Sequence, residues 1–330
     1  MAKLKLTVAC NDYDRTRGLK DGSIPIEGCE INLFNFSSEE IFFRTHHGQQ
    51  FDICEMSMSR YLINTSRGEG DYAALPVFLS RMFRHSAIYI RTDRGIKTAA
   101  DLRGKLVGVP EYQMTAALWT RGLLEDQYDV KPQEIHWRNG GLEMAGRTEL
   151  LDLDLPKSID LQSIPSDRTL SELLASGELD AVIASKRPSC FSKGHPHVAR
   201  LFPDYRQAER DYFKQSRIFP MMHVLGVRRT LLEEHPWLAD SVYKAFLEAK
   251  QACLPRLAEF GIMIDTLPWL AAEVEETKAI MGEDYWPYGI EANRVTIDAM
   301  LRYSYSQGLS ARLLTIDDLF PFGGDEAYKR

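Results

Sequence analysis

The chain has 330 residues, of which 44% are hydrophobic, 26% charged and 10% aromatic. This length supports one or two domains with substantial cores, and the composition is that of an ordinary globular protein, which excludes disordered, fibrous and small disulfide-stapled scaffolds. The formal net charge of −7 gives no positive field for nucleic acid or an anionic membrane surface, so neither is expected as a partner, and an anionic ligand would need a local basic pocket.

The five cysteines are scattered and form no CxxC pair, so the sequence indicates neither a disulfide framework nor a zinc site. The apolar run at residues 6–10 is too short for a secretion signal, and no stretch of about 20 apolar residues follows. We therefore expect a cytoplasmic protein. We predict no metal and no cofactor.

Up to about residue 184, the sequence predicts alternating strands and helices, which is typical of parallel α/β architecture. Ser37 or Ser38 is suited to cap the first of these helices, and Gly48 to close it. The predicted strands are 4–9, 29–34, 51–54, 104–110 and 179–184, and the predicted helices are 39–47, 116–124 and 170–175.

Beyond Arg229 the pattern becomes helical, with periodic segments at 231–257, 270–280 and about 293–307. The polar segment 92–98 and the segment 217–229 are suited to carry the chain between two lobes. We predict that residues 1–92 and 224–330 form lobe I and residues 93–223 form lobe II.

In open α/β sheets, ligands bind outside the carboxyl ends of the strands. Four predicted strand ends carry polar side chains, and all four would line a cleft between two facing lobes. They are Asp12-Tyr13-Asp14-Arg15, Glu55-Met56-Ser57, Glu111-Tyr112-Gln113-Met114-Thr115 and Ser185-Lys186-Arg187.

Several long runs resemble the 4,5-dihydroxyphthalate decarboxylase family. They are residues 6–15 with the tetrapeptide DYDR, FDICEMS (51–57), LPVFLSRMFRHS (75–86), GKLVGVPEYQMTAALWTRGLLED (104–126), IFPMMH (218–223) and GEDYWPYG (282–289). The resemblance implies a two-lobed type II periplasmic-binding-protein-like fold, with a mostly parallel sheet flanked by helices in each lobe and the ligand cleft between them. It also implies cofactor-independent decarboxylation of 4,5-dihydroxyphthalate to 3,4-dihydroxybenzoate (protocatechuate) and CO2.

This reaction needs an indirect route, because direct loss of CO2 leaves an aryl anion whose lone pair lies in the ring plane. Protonation of the carbon that bears the carboxylate, with electrons supplied by the para hydroxyl, gives a dearomatised intermediate that releases CO2 readily. The site must therefore supply a proton donor, a base or acceptor for the phenol, and cations for two carboxylates.

Glu111 and His223 are the predicted acid and base, and the sequence leaves open which one delivers the proton. Glu111 follows a strand end beside a helix start, where a carboxylate also serves simply to stabilise the helix dipole. His223 lies near the second crossing among apolar residues, where a histidine is more often a hydrogen-bonded core residue. The resemblance favours the catalytic interpretation of both.

The remaining candidates are expected to bind the substrate, although each also has an ordinary structural interpretation as a surface or helix-capping residue. Cations and hydroxyls are suited to carboxylates, aromatic rings to stacking, and the acidic side chains to the two hydroxyls. These candidates are Asp12, Tyr13, Glu55, Arg84, His85, Tyr112, Thr115, Arg147, Lys186 and Arg187.

Two other functions stay open on the sequence alone. One is a non-catalytic solute-binding protein for an aromatic carboxylate, and the other is a decarboxylase for a different hydroxylated aromatic acid, since a few pocket side chains decide substrate choice. Self-association as a homo-oligomer is also open, with residues 285–288 and the helical C-terminal region as candidate contact surfaces.

Overall fold

The computed structural model describes residues 3–48 and 50–322, and these form eleven strands and twelve α-helices. The strands are β1 (Leu4–Cys10), β2 (Cys29–Asn35), β3 (Ile53–Ser57), β4 (Tyr72–Arg81), β5 (Ile88–Arg91), β6 (Leu106–Val109), β7 (His136–Asn139), β8 (Asp160–Ser163), β9 (Ala181–Ile183), β10 (Val198–Arg200) and β11 (Met221–Arg228). The helices are α1 (Arg17–Lys20), α2 (Ser38–Gly48), α3 (Met58–Arg67), α4 (Thr115–Tyr128), α5 (Leu170–Ser176), α6 (Ser189–Ser192), α7 (Tyr205–Ser216), α8 (Arg229–Glu234), α9 (Leu238–Leu257), α10 (Leu270–Met281), α11 (Arg294–Ser306) and α12 (Ile316–Leu319).

The strands form two sheets. The first has the order β2-β1-β3-β11-β4, in which β1 runs parallel to β2 and β3, whereas β11 runs antiparallel to β3 and β4. The second has the order β10-β5-β9-β6-β7-β8. Here β9, β6, β7 and β8 are parallel, and β5 and β10 are antiparallel additions at one side.

Local sequence signals account for several helix ends. The hydroxyl of Ser37 accepts a hydrogen bond from the backbone of Glu40 at the start of α2, as the sequence predicts. Thr169 and Glu172 form a reciprocal capping box at the start of α5. Helix α3 ends at Gly68, whose φ of 72° places it in the left-handed region that glycine enters without strain.

The chain passes between the sheets earlier than the sequence predicts. Strand β5 (Ile88–Arg91) pairs with β9 in the second sheet, although residues up to 92 were expected in lobe I. Likewise, Met221 and His223 pair with β4 in the first sheet, although residues up to 223 were expected in lobe II. The polar segment after Arg91 misleads because it begins a surface turn after a strand, and the first crossing instead lies at residues 82–87.

The two sheets share one large hydrophobic core. Helix α4 is nearly buried on all sides, and its Trp119 donates a hydrogen bond from Nε1 to the carbonyl of Met221 on β11, at 2.7 Å. At Gly122 a Cβ atom would collide with the ring of Tyr303 on α11, so the absence of a side chain there lets α4 and α11 approach closely. These contacts fix α4, whose first residue lies in the cleft, against β11 and α11.

Within the described ranges, no helix combines the length and the apolar character needed to cross a membrane.

Candidate active site

A cavity of about 360 Å³ lies between the two sheets, at the ends of their strands. The first sheet and its connections contribute Ser57, Arg60, Arg84, Met222 and His223 to its wall, and the second contributes Glu111, Gln113, Thr115, Arg147 and Lys186. Both predicted acid–base residues therefore face the same cavity from opposite sheets.

His223 forms a close pair with Glu55. It lies on β11 at a point where the pairing register with β4 is irregular on both sides, and its Nδ1 is 2.5 Å from Oε1 of Glu55 on the neighbouring strand β3. The edge of the Phe42 ring packs against the imidazole, with 5.0 Å between ring centroids. The imidazole is thereby held in one orientation at the cavity wall.

Glu55 is fully buried, and its carboxylate is held by three donors. Besides His223, the hydroxyl of Tyr13 donates to Oε1 at 2.5 Å and the backbone N–H of Asn11 donates to Oε2 at 2.9 Å. Burial would raise the pKa of Glu55, but the charge of His223 and these hydrogen bonds outweigh burial and bring the pKa below its usual value.

An ionised Glu55 can only accept hydrogen bonds, so His223 must carry its proton on Nδ1. This leaves Nε2 as the ring nitrogen that is available to a ligand. When the imidazole of His223 is protonated on both nitrogens, its positive charge is paired with the carboxylate of Glu55. Glu55 and Tyr13, which the sequence predicts to contact the substrate, are not among the described residues that line this cavity. Glu55 contacts His223, and Tyr13 contacts Glu55.

Glu111 follows β6 and is buried in an ion pair with Arg147. Its Oε1 lies 2.7 Å from Nε and 2.5 Å from Nη2 of Arg147, and its Oε2 accepts a hydrogen bond from the side chain of Gln113 at 3.0 Å. Both carboxylate oxygens therefore act as acceptors in this state. Arg147 reaches the cavity as predicted, but its partner here is the protein's own carboxylate.

A second carboxylate, Glu149, fixes the loop at residues 140–150 that carries Arg147. It accepts hydrogen bonds from the backbone N–H groups of Tyr112 and Gln113, directly after Glu111. Burial is the main cause that raises the pKa of Glu149 to about 7, and the neighbouring charge of Glu111 adds to it. The acidic loop residue that the sequence analysis missed is thus a structural anchor beside the predicted acid–base group.

Arg84 lies in the cavity wall as predicted. It is buried, and the hydrogen bonds that its guanidinium makes within the described residues go to thioether sulfurs, at 3.2 and 2.6 Å for Met222 and 3.8 Å for Met82. Burial lowers the pKa of Arg84 to about 10, although the charge of Glu209 opposes this effect. Since thioethers are weak acceptors, this cation has strong hydrogen-bonding capacity to spare.

Arg60, in the first turn of α3, is a cavity residue that the sequence analysis missed. Its Nη2 is buried, with no hydrogen-bond partner among the described residues. Burial lowers its pKa, and the charge of Glu111 opposes this. The sequence does carry a weak signal, because Arg60 follows Ser57 by three residues, which is about one helical turn.

Thr115 and Lys186 line the cavity in different ways. The hydroxyl of Thr115 lies 3.0 Å from that of Ser57 and accepts a hydrogen bond from the backbone of Ser59, so it links α4 to the end of β3. Lys186 is exposed and forms an ion pair of 3.0 Å with Glu39 on α2. This pair connects the two sides of the cleft.

Besides Glu55 and Tyr13, which lie behind His223, four more predicted substrate-binding residues lie away from the cavity wall. The ring of His85 is buried against Phe202 and Tyr212, and burial lowers its pKa to about 4. The ring of Tyr112 lies in the core, beneath the guanidinium of Arg121 at 3.7 Å.

The other two of these residues lie outside the cavity at exposed positions. Asp12 forms a surface ion pair with Lys20 at 3.0 Å. Arg187 lines a separate cavity of about 320 Å³, together with Arg200 and Glu209. Of the adjacent residues Lys186 and Arg187, it is therefore Lys186 that faces the cleft.

Among the residues that the structure describes, no three or more His, Cys, Asp and Glu side chains are grouped so that they could hold a metal ion.

No family model matches the chain, but two curated relatives do. The 4,5-dihydroxyphthalate decarboxylase of Comamonas testosteroni is 44% identical over 329 residues, which span 100% of both chains. The 4,5-dihydroxyphthalate decarboxylase of Pseudomonas putida is 47% identical over 214 residues, which span 65% of this chain and 83% of the relative.

Two solved structures share the architecture. The periplasmic aliphatic sulphonate binding protein SsuA from Escherichia coli gives a TM-score of 0.54 at 13% identity, covering 96% of this chain and 97% of that chain. A putative periplasmic sulfonate-binding protein SsuA from Methylobacillus flagellatus gives 0.51 at 11% identity, covering 97% and 92%. At these identities the likeness shows the fold alone. It confirms the predicted type II periplasmic-binding-protein-like fold.

Proposed function

The chain belongs to the 4,5-dihydroxyphthalate decarboxylase family of carboxy-lyases, and from this we propose that it converts 4,5-dihydroxyphthalate to 3,4-dihydroxybenzoate and CO2 without a cofactor. The single observation that supports the chemistry best is the placement of His223, backed by the buried Glu55, opposite Glu111 in one cavity. Protonation at carbon requires a proton donor at the ring carbon and an acceptor at the para hydroxyl, and these two residues can supply them.

We propose that His223 is the proton donor. As an imidazolium it is paired with Glu55 through Nδ1, and its Nε2–H is available to the ring carbon that bears the departing carboxylate. Glu111, whose oxygens already act as acceptors, accepts the proton of the hydroxyl para to that carbon.

These two transfers give a neutral imidazole, a protonated Glu111 and a dearomatised ring whose tetrahedral carbon carries hydrogen and carboxylate. Cleavage of the C–C bond then releases CO2, and its electron pair restores the aromatic ring as a phenolate. Glu111 returns its proton to that oxygen, and His223 is reprotonated from solvent. One proton is consumed for each CO2 released, so the charge of the dianionic substrate and the monoanionic product balances.

The first test is turnover by the purified protein after dialysis against a chelator. We expect CO2 and 3,4-dihydroxybenzoate to form from 4,5-dihydroxyphthalate without any added cofactor. Absence of turnover both in chelator-treated and in metal-supplemented samples would contradict the proposal. Rates on isomeric dihydroxyphthalates then show whether the hydroxyl para to the lost carboxylate is required.

The second test is the reaction in deuterated water. Protonation at carbon places one deuterium at the vacated ring position of the product, which mass spectrometry and proton NMR detect. Product that carries only protium there would reject this route.

A cytoplasmic location also remains our proposal. All five cysteines are free and buried, which is compatible with a reducing compartment, and fractionation of cells that express the full chain tests it.

A further inference from the structure

The charges on the cavity wall do not cancel. Besides His223, the described lining residues include four cations, Arg60, Arg84, Arg147 and Lys186, and two carboxylates, Glu39 and Glu111. Arg147 is paired with Glu111, and Lys186 with Glu39. Among the ion pairs of the described residues, none includes Arg60 or Arg84, so two guanidinium groups remain for a ligand.

Neither guanidinium group has a strong hydrogen-bond acceptor among the described residues, although the charges of Glu111 and Glu209 offset part of the cost of burying Arg60 and Arg84, respectively. Nη2 of Arg60 is buried without a hydrogen-bond partner in the described chain, and Arg84 donates only to the sulfurs of Met222 and Met82. An unsatisfied buried charge is destabilising, and a carboxylate that binds it gains a strong charge-assisted hydrogen bond.

We propose that Arg60 and Arg84 each bind one carboxylate of the substrate, so that this pair of residues makes the cavity selective for an ortho-dicarboxylate over a monocarboxylate. The inference rests on the proposed function and specifies its substrate class. Arg147 keeps its contact with Glu111, and the two surplus positive charges match the two negative charges of the ligand. A monocarboxylate engages only one of the two arginines.

The test uses phthalate and benzoate as probes, because neither carries the hydroxyl that turnover requires. Their affinities for the full-length wild type, Arg60→Gln and Arg84→Gln are measured by calorimetry. We expect each substitution to weaken phthalate binding by about ten- to hundredfold. Benzoate binding should be weakened to that extent by at most one of the two substitutions.

The matched control is Arg67→Gln, which removes a positive charge from the same helix as Arg60. Arg67 is exposed and donates to the backbone carbonyl of Asp152, so both affinities should stay within twofold of the wild type. Circular dichroism establishes that each variant is folded, and Arg60→Lys should recover part of the phthalate affinity.

Two results would overturn the inference. One is a folded Arg60→Gln protein that binds phthalate within twofold of the wild type. The other is an equal loss of phthalate and benzoate affinity in both variants, which would mean that neither arginine distinguishes the second carboxylate. Turnover of 4,5-dihydroxyphthalate by the wild type is assayed separately, so failure of the specificity inference is distinguishable from failure of the proposed reaction.

Discussion

The orientation of His223 depends on a short chain of hydrogen bonds behind its ring. Tyr13 and the backbone of Asn11 donate to Glu55, and Glu55 accepts from Nδ1 of His223. Glu55 contributes a buried negative charge that an amide cannot replace. The contributions of Glu55 and Tyr13 to turnover are therefore measurable by removing the charge of the first or the hydroxyl of the second.

We expect Glu55→Gln to lower kcat by about 100-fold or more, because the imidazolium loses its counter-charge, whereas KM changes only a few-fold. Tyr13→Phe should lower kcat less, since Asn11 and His223 still hold the carboxylate. Steady-state kinetics checks both. Asp12→Asn, which changes an exposed carboxylate nearby, is the control, and wild-type turnover by a folded Glu55→Gln protein would disprove the positioning role.

Substitution of His223 or Glu111, the two residues proposed to transfer protons, should likewise lower kcat much more than it weakens ligand binding. We expect His223→Asn and Glu111→Gln each to lower turnover of 4,5-dihydroxyphthalate by about 100-fold or more. Their affinity for phthalate should fall much less, because the carboxylates bind elsewhere. Rapid-quench assays and calorimetry measure the two quantities, and normal turnover in both variants would refute the assignment.

At the scale of elements, the loop at residues 140–150 is attached to the end of β6 through two carboxylates. Arg147 reaches Glu111 from the loop, and Glu149 accepts from the backbone N–H groups that follow it. Proper placement of Glu111 therefore depends on a loop as well as on its own strand.

The raised pKa of Glu149, in this loop, predicts that the stability of the folded protein depends on pH. Since the pKa is about 7 in the folded protein and 4.5 is the ordinary value, the folded state holds a proton between these values that the unfolded chain has released. The stability from this group is therefore present at pH 5 and decreases as the pH rises through 7. We compare the midpoint of chemical denaturation at pH 5 with that at pH 8. The difference between these two midpoints should be smaller for Glu149→Gln than for the wild type.

The control for that experiment is Glu143→Gln, which makes the same change at an exposed position of the same loop. This variant should keep the wild-type difference between pH 5 and 8. A Glu149→Gln protein with the full wild-type pH dependence would show that the carboxyl of Glu149 is not responsible.

The strand ends illustrate what the sequence reveals at this scale and what it leaves undetermined. Three of the four predicted strand ends contribute to the cavity wall, whereas residues 12–15 do not. Within one of the three, Glu111 faces the cavity while the adjacent Tyr112 faces the core. Neighbouring residues point in different directions, and which one faces inward depends on turns whose geometry short-range patterns do not determine. The same holds for the next pair: Arg84 lies in the cavity wall, whereas the adjacent His85 is buried in the core. Arg60 was missed because it lies in the first turn of α3, a helix that the sequence analysis does not predict.

At the scale of the whole molecule, the sequence predicts the fold class but only about half of the described helices and strands, and it misplaces the passages between the sheets. Strand β11 joins the first sheet between β3 and β4, and its partners lie more than 100 residues away in the sequence. Such pairings depend on long-range packing, for example on the hydrogen bond from Trp119 to Met221. Local polarity and turn signals therefore cannot locate them to the residue.

A ligand that contacts both sheets should stabilise the entire chain. We expect phthalate to raise the unfolding temperature in a concentration-dependent way, with a gain of about 2.7 kcal/mol at a concentration 100 times its Kd. Differential scanning calorimetry should show one transition that shifts as a whole. The uncharged phthalamide is the control and should have little effect. Two transitions of which only one shifts would show that the ligand contacts a single sheet.

The placement of His223 and Glu111 at the ends of separate sheets has a consequence for substrate choice. On the proposed mechanism, only a ligand that reaches both groups at once exchanges protons with them. An aromatic acid that reaches one of them binds and dissociates unchanged. The reaction is then selective at two stages, first through charge when the acid binds and then through molecular length at proton transfer.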